Sequence, residues 1–135
     1  MDLATALTIS ARGMDVQSTR LRVIAENIAN ADTTGSTPGA EAYHRKTVSF
    51  ENRMDAALGV ATVAVKSVGT DPTELPLRYD PSNPAADARG YVKQPNVNTF
   101  VEAMDMREAE RTYSANLNVL QATRSMLTRT IDMLK

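Results

Sequence analysis

The feature that most constrains this chain is a seven-residue spacing of apolar residues near its N-terminus. Leu7, Met14, Leu21 and Ile28 are each separated by seven positions, and residues 2–30 contain no proline. Such spacing places the four side chains along one face of an α-helix. The sequence therefore predicts one long helix over this segment.

A second apolar series on the same predicted helix lies two positions after the first. It consists of Ile9, Val16 and Val23, again at seven-residue spacing. Two positions along a helix correspond to a rotation of about 200°, so the two series face opposite sides. A helix that rests on one small core needs a single apolar face, whereas two opposed faces indicate neighbours on both sides. We therefore expect one of these neighbours to be another copy of the chain.

The C-terminal segment also has apolar residues at seven-residue spacing, and neither proline nor glycine occurs after Pro95. Glu110 and Arg124 occupy a-type positions in its apolar seam, where charged side chains fix the register between helices at a cost in stability. The seam consists of Met106, Tyr113, Leu117, Leu120, Leu127, Ile131 and Leu134. This spacing predicts a second long helix whose apolar surface exceeds what one partner helix would cover.

The middle of the chain is a different kind of sequence. All six prolines and five of the six glycines lie between residues 31 and 96, so a long helix is not expected there. Residues 43–50 and 60–68 carry the aromatic and β-branched side chains typical of strands. Turn-forming residues are so frequent over residues 69–95 that this part is expected to be an extended, loop-rich connection.

The predicted fold is mainly α with a small β module. Long N- and C-terminal helices are expected to pack as a coiled-coil pair, joined by a β- and loop-rich middle. Three segments follow along the chain: an N-terminal helix with its stop (residues 1–34), the middle module (35–96) and a C-terminal helix (97–135).

Charge and composition argue against several classes of partner. Lysine and arginine number 15 against 16 aspartate and glutamate residues, so no excess charge favours nucleic acid or an anionic membrane surface. The absence of cysteine excludes disulfides and thiolate metal sites. The longest weakly polar stretch, residues 56–65, is about half the roughly 20 residues that a membrane helix needs. The N-terminal residues do not resemble a Sec-type signal peptide, so we expect a soluble protein without membrane insertion.

The sequence contains no recognisable catalytic or metal site. His44, the only histidine, lies in a basic stretch and is expected to be a surface or interface residue. Glu102, Asp105, Glu108 and Glu110 could suggest paired carboxylates, but charges on a long helix usually form a solvated or salt-bridged face. We therefore predict no enzyme activity, no catalytic residue, no metal ligand and no cofactor.

Gly13 is unusual because it lies inside the first predicted helix. Glycine costs about 1 kcal/mol relative to alanine in a helix interior. One interpretation is a close contact with another helix that requires the absence of a side chain. The alternative is a tolerated defect in an otherwise strong helix.

Specific runs of residues carry a resemblance to a known family. Residues 27–35, Asn-Ile-Ala-Asn-Ala-Asp-Thr-Thr-Gly, supply side chains that hydrogen-bond to their own backbone and so end the first helix. Residues 13–50, which include this run, resemble the N-terminal signature of flagellar axial proteins nearly residue for residue. Residues 43–48, 87–98 and 111–135 are similar, more narrowly, to rod proteins of the flagellar basal body.

This resemblance implies a structural subunit of the proximal rod that assembles into a tubular drive shaft and transmits torque. Its implied partners are other copies of the chain, other rod proteins and the flagellar type III export apparatus, with no nucleic acid. The implied location is the basal body, in a rod that crosses the periplasm, after export without a cleaved signal peptide.

The helical stripes, read together with this resemblance, predict which residues form the assembly interface: Leu7, Ile9, Gly13, Met14, Val16, Leu21, Val23, Ile28, Tyr113, Leu117, Leu120, Leu127, Ile131 and Leu134. The main alternative function is that of a soluble helical adaptor or chaperone that holds one partner with the same helices. An adaptor forms a closed complex at fixed ratio, whereas a rod subunit forms an open helical assembly. An enzyme is a more distant alternative.

Overall fold

The computed structural model describes residues 3–134, so the outermost residues of the predicted terminal segments, 1–2 and 135, lie outside the described residues. Two long helices enclose four strands along the chain, which confirms the predicted fold class. In chain order the elements are α1 (Leu3–Ala29), β1 (Lys46–Asp55), β2 (Val60–Thr70), β3 (Leu77–Tyr79), β4 (Tyr91–Lys93) and α2 (Thr99–Met133).

Helix α1 ends through local hydrogen bonds, as the asparagine-rich run predicts. The side chain of Asn30 donates from Nδ2 to the carbonyl oxygen of Glu26 over 2.8 Å, and its backbone N–H donates to the carbonyls of Glu26 and Asn27. The next N–H, that of Ala31, donates to Ile28 over 3.2 Å, which tightens the last turn. No non-glycine residue in the described part of the chain has a positive φ, so side-chain bonding ends this helix without a left-handed residue.

Helix α2 begins at an asparagine cap that follows the last proline of the chain. Asn98 Oδ1 accepts hydrogen bonds from the backbone N–H groups of Phe100 and Val101, over 3.1 and 3.3 Å. These are two of the N–H groups that a helix start leaves without a helical partner. Glu102 lies in the first turn, where a carboxylate is also favoured by the helix dipole.

The strands form two separate two-stranded sheets. β1 pairs with β2, and the connection between them, residues 56–59, is too short for a parallel crossover, so the pair is an antiparallel hairpin. Gly59 adopts a φ of 65° in this turn, and Asp55 Oδ1 accepts hydrogen bonds from the N–H groups of Ala57 and Leu58. Both strands were predicted, although β1 begins three residues later than predicted and both strands end beyond their predicted limits.

The second sheet lies within the segment for which we expected a loop-rich connection. β3 and β4 are antiparallel, with Tyr79 opposite Tyr91, and the two rings meet edge to face with centroids 5.4 Å apart. Asp87 Oδ1 accepts hydrogen bonds from the N–H groups of Arg89 and Tyr91 in the preceding turn. The bond from Tyr91 is the main reason why the pKa of Asp87 lies below its ordinary value. Turn chemistry therefore supports a short hairpin here.

The chain contains two compact units, and each helix contributes to both. One unit combines α1 up to Leu21, the hairpin residues Val48–Ser67 and α2 from Arg107 onward. The other combines Arg22–Thr47 with Val68–Met106. We refer to them as the hairpin unit and the junction unit.

Candidate assembly interface

The two helices contact each other closely in the hairpin unit. A side-chain carbon built at Gly13 would lie 2.9 Å from Nδ2 and 3.2 Å from Cγ of Asn116. No real Cβ atom approaches so closely, so the glycine allows α1 and α2 to meet at this point. The structure therefore supports a close helix contact over a tolerated defect as the reason for Gly13.

The face of α2 that is buried within the chain is small and polar. Glu102, Ala109, Asn116 and Thr123 follow one another at seven-residue spacing. Ala109 and Glu102 are 0% exposed, and Thr123 is 3% exposed. The Thr123 hydroxyl donates to the carbonyl oxygen of Val119, one helical turn earlier. This line contains no large apolar residue, so it differs from the seam found in the sequence.

The second of the two predicted stripes of α1 is the more deeply buried within the chain. Val16 and Val23 are each 2% exposed, and Ser10 and Ile24, which lie three positions after Leu7 and Leu21 of the first stripe, are also buried. Ile9, which belongs to the second stripe, is half-buried. The side chains of the two valines therefore contact their own chain, and a contact with another copy would have to use the remaining predicted residues.

The other predicted interface residues retain exposed surface. Eight of them are half-buried: Leu7, Ile9, Gly13, Met14, Leu21, Ile28, Tyr113 and Leu120. Four are exposed in the described chain: Leu117, Leu127, Ile131 and Leu134. The sequence seam of α2 thus leaves part of its apolar surface uncovered, and this uncovered surface is available to a neighbour.

Large exposed hydrophobic side chains are concentrated on α2. Among residues 3–134, nine of them lie in α2, one follows it directly, and none lies in α1. The ten are Phe100, Val101, Met104, Leu117, Val119, Met126, Leu127, Ile131, Met133 and Leu134. Exposed apolar surface that is concentrated on one element suggests a site of interaction with another protein.

A groove of about 690 Å³ opens on the hairpin unit, between α1 and α2. We call it the Leu7 groove. Its apolar lining comes from Leu7, Ala11 and Leu120, and Arg12 and Arg124 also line it. Thr8 and Asp15 complete the lining.

The junction unit contains a buried polar network that was not predicted from the sequence. Its centre is Asn27, which is 1% exposed. Asn27 Nδ2 donates to the carbonyl oxygen of Lys46 over 2.9 Å and to Oε2 of Glu102 over 3.1 Å. Asn27 Oδ1 accepts from the Tyr43 hydroxyl over 2.9 Å and from the Lys46 N–H over 2.8 Å. The buried amide therefore uses both its donors and both its acceptor positions.

Glu102 is the charged member of this network. It is 0% exposed, and Arg45 Nε donates to its Oε1 over 2.5 Å, while Asn27 occupies the other oxygen. The same guanidinium lies 3.7 Å from Asp105 and 3.9 Å from Asp71. The expectation of a salt-bridged face is correct for Glu102, but its carboxylate is buried within the chain. It is committed to structural hydrogen bonds.

The surrounding groups extend the network to the surface. Lys46 Nζ donates to Glu26 over 2.8 Å, and this bond lowers the pKa of Glu26 and raises that of Lys46. Burial raises the pKa of the Tyr43 hydroxyl. The N–H of Arg45 donates to Asn96 Oδ1 over 2.7 Å. The network thus joins the end of α1, the start of β1, the turn before α2 and the first turn of α2.

A signal for part of this network was present in the sequence. Asn27 follows the buried Val23 by four positions, so it occupies the apolar face of α1 just before the helix ends. Glu102 continues the small-residue line of Ala109 at seven-residue spacing. A polar residue on a buried face predicts a partner. The identity of that partner, Arg45, depends on a contact across 57 positions.

The expected surface position of His44 is consistent with its environment. Its Nε2 lies 3.5 Å from Oε2 of Glu41, and its side chain is 37% exposed. Lys93 also donates to Glu41. Within the described part of the chain, no group of three or more histidine, aspartate or glutamate residues has an arrangement that could hold a metal ion. None of the described helices is apolar over the length that a membrane crossing requires.

Comparisons with known proteins identify the family of the chain. A family described as flagella basal body rod protein matches residues 7–37, and one described as flagellar basal body rod FlgEFG protein C-terminal matches residues 88–133. The chain is 53% identical over 133 residues to the flagellar basal-body rod protein FlgC of Agrobacterium fabrum, covering 98% of this chain and 96% of the relative. It is 40% identical to FlgC of Salmonella typhimurium, with 98% of each chain covered, and 33% identical to FlgC of Borreliella burgdorferi, covering 100% of this chain and 99% of the relative. The chain therefore belongs to the FlgC family of flagellar basal-body rod proteins.

Proposed function

We propose that this chain, a structural subunit of the flagellar basal-body rod, assembles with copies of itself and with other rod proteins through the exposed apolar surface of α2. The assembly is a tubular shaft that transmits torque. The partially exposed stripe of α1, which includes Leu7, Met14 and Leu21, contributes to the same interface. This role requires no catalytic residue and no cofactor.

The observation that carries the proposal is the difference between the buried and the exposed side chains of α2. Its buried line, including Ala109 and Thr123, is small or polar, so contact with α1 consumes little of the apolar surface of the helix. The large side chains of the helix stay exposed instead. Each such side chain gains about 1.5–3 kcal/mol when it is fully buried. Burial between copies would recover this free energy, which is unavailable to the isolated chain.

The junction unit supplies the stiffness that a shaft needs. Asn27 and Glu102 have their buried polar atoms fully engaged, and breaking such a network leaves unpaired groups at a cost of about 1–3 kcal/mol each. A network with this penalty resists small displacements of the two helices at this point. We infer that it preserves the geometry of the subunit under load.

The mode of assembly follows from the asymmetry of the surface. Among the described residues the large exposed apolar side chains of the two helices lie on α2 and not on α1, so we propose a heterologous contact in which α2 of one copy packs against a different surface of the next. Heterologous contacts that do not close into a ring generate open helical arrays. Many such contacts, each of modest strength, add up to a stable tube.

Membership of the family also supports two proposals, one about the export of the protein and one about its location. We propose that it is exported through the flagellar type III apparatus without cleavage of a signal peptide. We also propose that it occupies the part of the basal body where the rod crosses the periplasm. Mass spectrometry of the chain recovered from purified basal bodies tests the first proposal, because an uncleaved chain retains its N-terminal residues.

Electron cryomicroscopy of purified basal bodies provides the main test of assembly. We expect density for many copies of α1 and α2 in an open helical array, with the exposed side chains of α2, such as Leu127 and Ile131, buried between copies. A closed complex of fixed ratio with one partner would support the adaptor alternative and contradict the proposal.

A further inference from the structure

The sulfur atoms of this chain all belong to methionine. The chain has seven methionines and no cysteine, so any oxidation at sulfur takes place on a thioether. Among the described residues of the hairpin unit, Met14 is half-buried. Met54, Met126 and Met133 of the same unit are 66%, 51% and 79% exposed. The free chain therefore presents three accessible methionine side chains in this unit.

Two of these three methionines share one face of α2. Met126 and Met133 are seven positions apart, and Val119 precedes Met126 by another seven, so the three side chains follow one line along the helix. Val119 is 50% exposed, and none of the three side chains is charged. Met54 lies on β1 instead. The line of Val119, Met126 and Met133 is therefore part of the exposed apolar surface of α2, whereas Met54 is outside it.

An exposed thioether reacts with a peroxide by oxygen transfer. A lone pair on sulfur attacks one peroxide oxygen, the O–O bond breaks, and the attacked oxygen stays bound to sulfur. Transfer of its proton to the departing hydroxide gives a sulfoxide and water, so sulfur loses two electrons and the peroxide gains them. The product is a polar, chiral side chain in place of a flexible apolar one, and a methionine sulfoxide reductase reverses the step.

The effect of this change depends on where the side chain lies afterwards. In the free chain, Met126 and Met133 face water, so a sulfoxide there stays hydrated and the fold is unaffected. Between subunits the same sulfoxide would have to lose its water, which is unfavourable for a polar group without a hydrogen-bond partner. Oxidation at these positions therefore acts on assembly and leaves the folded chain intact.

We propose that Met126 and Met133 are oxidation sites of the free chain, with peroxides as the class of oxidant, and that their sulfoxides prevent incorporation into the rod. A subunit already in the rod is protected, because its α2 surface is covered by neighbours. Peroxide therefore removes subunits that await assembly and spares those already assembled. This inference rests on the proposed rod function and adds a modification of the same surface.

Paired substitutions test the effect of polarity at these positions. Glutamine is uncharged, polar and similar in length to methionine sulfoxide, whereas leucine keeps the apolar volume. Tagged full-length chains are produced in a strain that lacks its own copy of the gene, and basal bodies are purified and blotted. We expect Met126→Gln with Met133→Gln to lower the amount of incorporated chain about tenfold, and Met126→Leu with Met133→Leu to retain at least half of it. Equal incorporation of the two double variants would overturn the proposal.

Two controls separate this effect from a loss of folding or from polarity in general. The urea midpoint of the purified glutamine double variant should match that of the unsubstituted chain, because both side chains are exposed. A glutamine double variant that does not fold would contradict the proposed selectivity for assembly. Met54→Gln makes the same change on β1 and should retain at least half of the incorporation. A loss with Met54→Gln as large as with the α2 double variant would contradict the assignment to α2.

Peptide mass spectrometry after treatment with hydrogen peroxide tests the chemistry itself. In the purified full-length chain we expect sulfoxide to form at Met126 and Met133 about fivefold faster than at the half-buried Met14. In purified basal bodies the rates at Met126 and Met133 should fall severalfold. Equal rates in the free chain and in basal bodies would overturn the proposal and leave the rod function intact. Absence of the tagged unsubstituted chain from basal bodies would instead contradict the rod function.

Discussion

Asn27 donates a hydrogen bond to Glu102 across 75 positions of sequence, and both side chains are almost completely buried. The bond joins the end of α1 to the first turn of α2. Arg45 neutralises the carboxylate over 2.5 Å. The negative charge of Glu102 therefore helps to hold the junction unit together, and its removal should lower the stability of the fold.

We predict that Glu102→Gln lowers the free energy of unfolding of the full chain by about 1–3 kcal/mol. The substitution leaves Arg45 without its buried partner and places an amide group where the network needs an acceptor for two donors. Urea denaturation followed by circular dichroism measures the change. Glu108→Gln, at an exposed position of the same helix, should change it by less than about 0.5 kcal/mol. A similarly small effect for Glu102→Gln would show that the network does not stabilise the fold.

The same network should make stability depend on pH. Lys46 lowers the pKa of Glu26 below its ordinary value of 4.5 through a hydrogen bond, and hydrogen bonds from Thr73 lower the pKa of Asp71. The unfolded chain therefore takes up these protons at a higher pH than the folded chain does. The stabilisation by both groups is complete above about pH 5 and is lost progressively as the pH falls through the lowered values.

Glu26→Gln tests this pH dependence. We expect the variant to have a lower urea midpoint than the unsubstituted chain at pH 7, because it lacks the ion pair with Lys46. At pH 3 the difference should shrink, because Glu26 is then increasingly protonated in both states. A difference between the two chains that stays constant from pH 7 to pH 3 would exclude Glu26 as a source of the acid sensitivity.

The sequence predicted the elements of this fold better than their contacts. Both helices and the first hairpin follow from local spacing and turn chemistry, so they could be located from residues 7–28, 43–68 and 97–135. The second sheet was not predicted because its strands are three residues long. Its stability comes from tertiary contacts such as the Tyr79–Tyr91 pair, which no local pattern contains.

The sequence also did not predict which of the interface residues are buried within the chain. Seven-residue spacing identifies Val16, Val23, Leu120 and Leu127 equally well, but it does not say which face meets the partner helix of the same chain. In the structure the two valines face inward and Leu127 faces outward. At Gly13 the internal contact is made with Asn116, on the buried polar line of α2, and seven-residue apolar spacing does not identify that line.

We predict that Leu120→Asp abolishes incorporation of the chain into the rod. Leu120 is half-buried in the Leu7 groove, and a carboxylate there would be unpaired once a neighbour excludes water. Swimming in soft agar and blotting of purified basal bodies measure the effect. Gln121→Asp introduces the same charge at the adjacent exposed position and should retain at least half of the swimming rate. Normal swimming by Leu120→Asp would argue that this face is not buried in the assembly.

Gly13 permits a prediction about helix packing. Gly13→Leu should prevent incorporation, because even a first side-chain carbon lies 2.9 Å from Asn116 Nδ2. Gly13→Ala should be tolerated, since that amide is the mobile end of a side chain and alanine favours the helix by about 1 kcal/mol. Combining Gly13→Ala with Asn116→Ala removes the close contact and should assemble at least as well as Gly13→Ala alone. Normal assembly of Gly13→Leu would mean that the two helices separate at this point in the rod.

The division into two units predicts how the monomer behaves before assembly. The junction unit is held by the buried bonds of Asn27 and Glu102, whereas the α2 part of the hairpin unit is mostly exposed and ends in residues 124–134, all of which are exposed. Local opening is easiest where few apolar contacts protect the backbone. In hydrogen exchange on a dilute, monodisperse monomer, we expect the amides of residues 124–134 to exchange at least a hundredfold faster than those of residues 22–28. Glu102→Gln should accelerate exchange at residues 22–28 and leave the exchange at residues 124–134 unchanged. Uniform slow exchange along the whole of α2 would indicate that the helix is fully formed without a neighbour, and that assembly requires no ordering step.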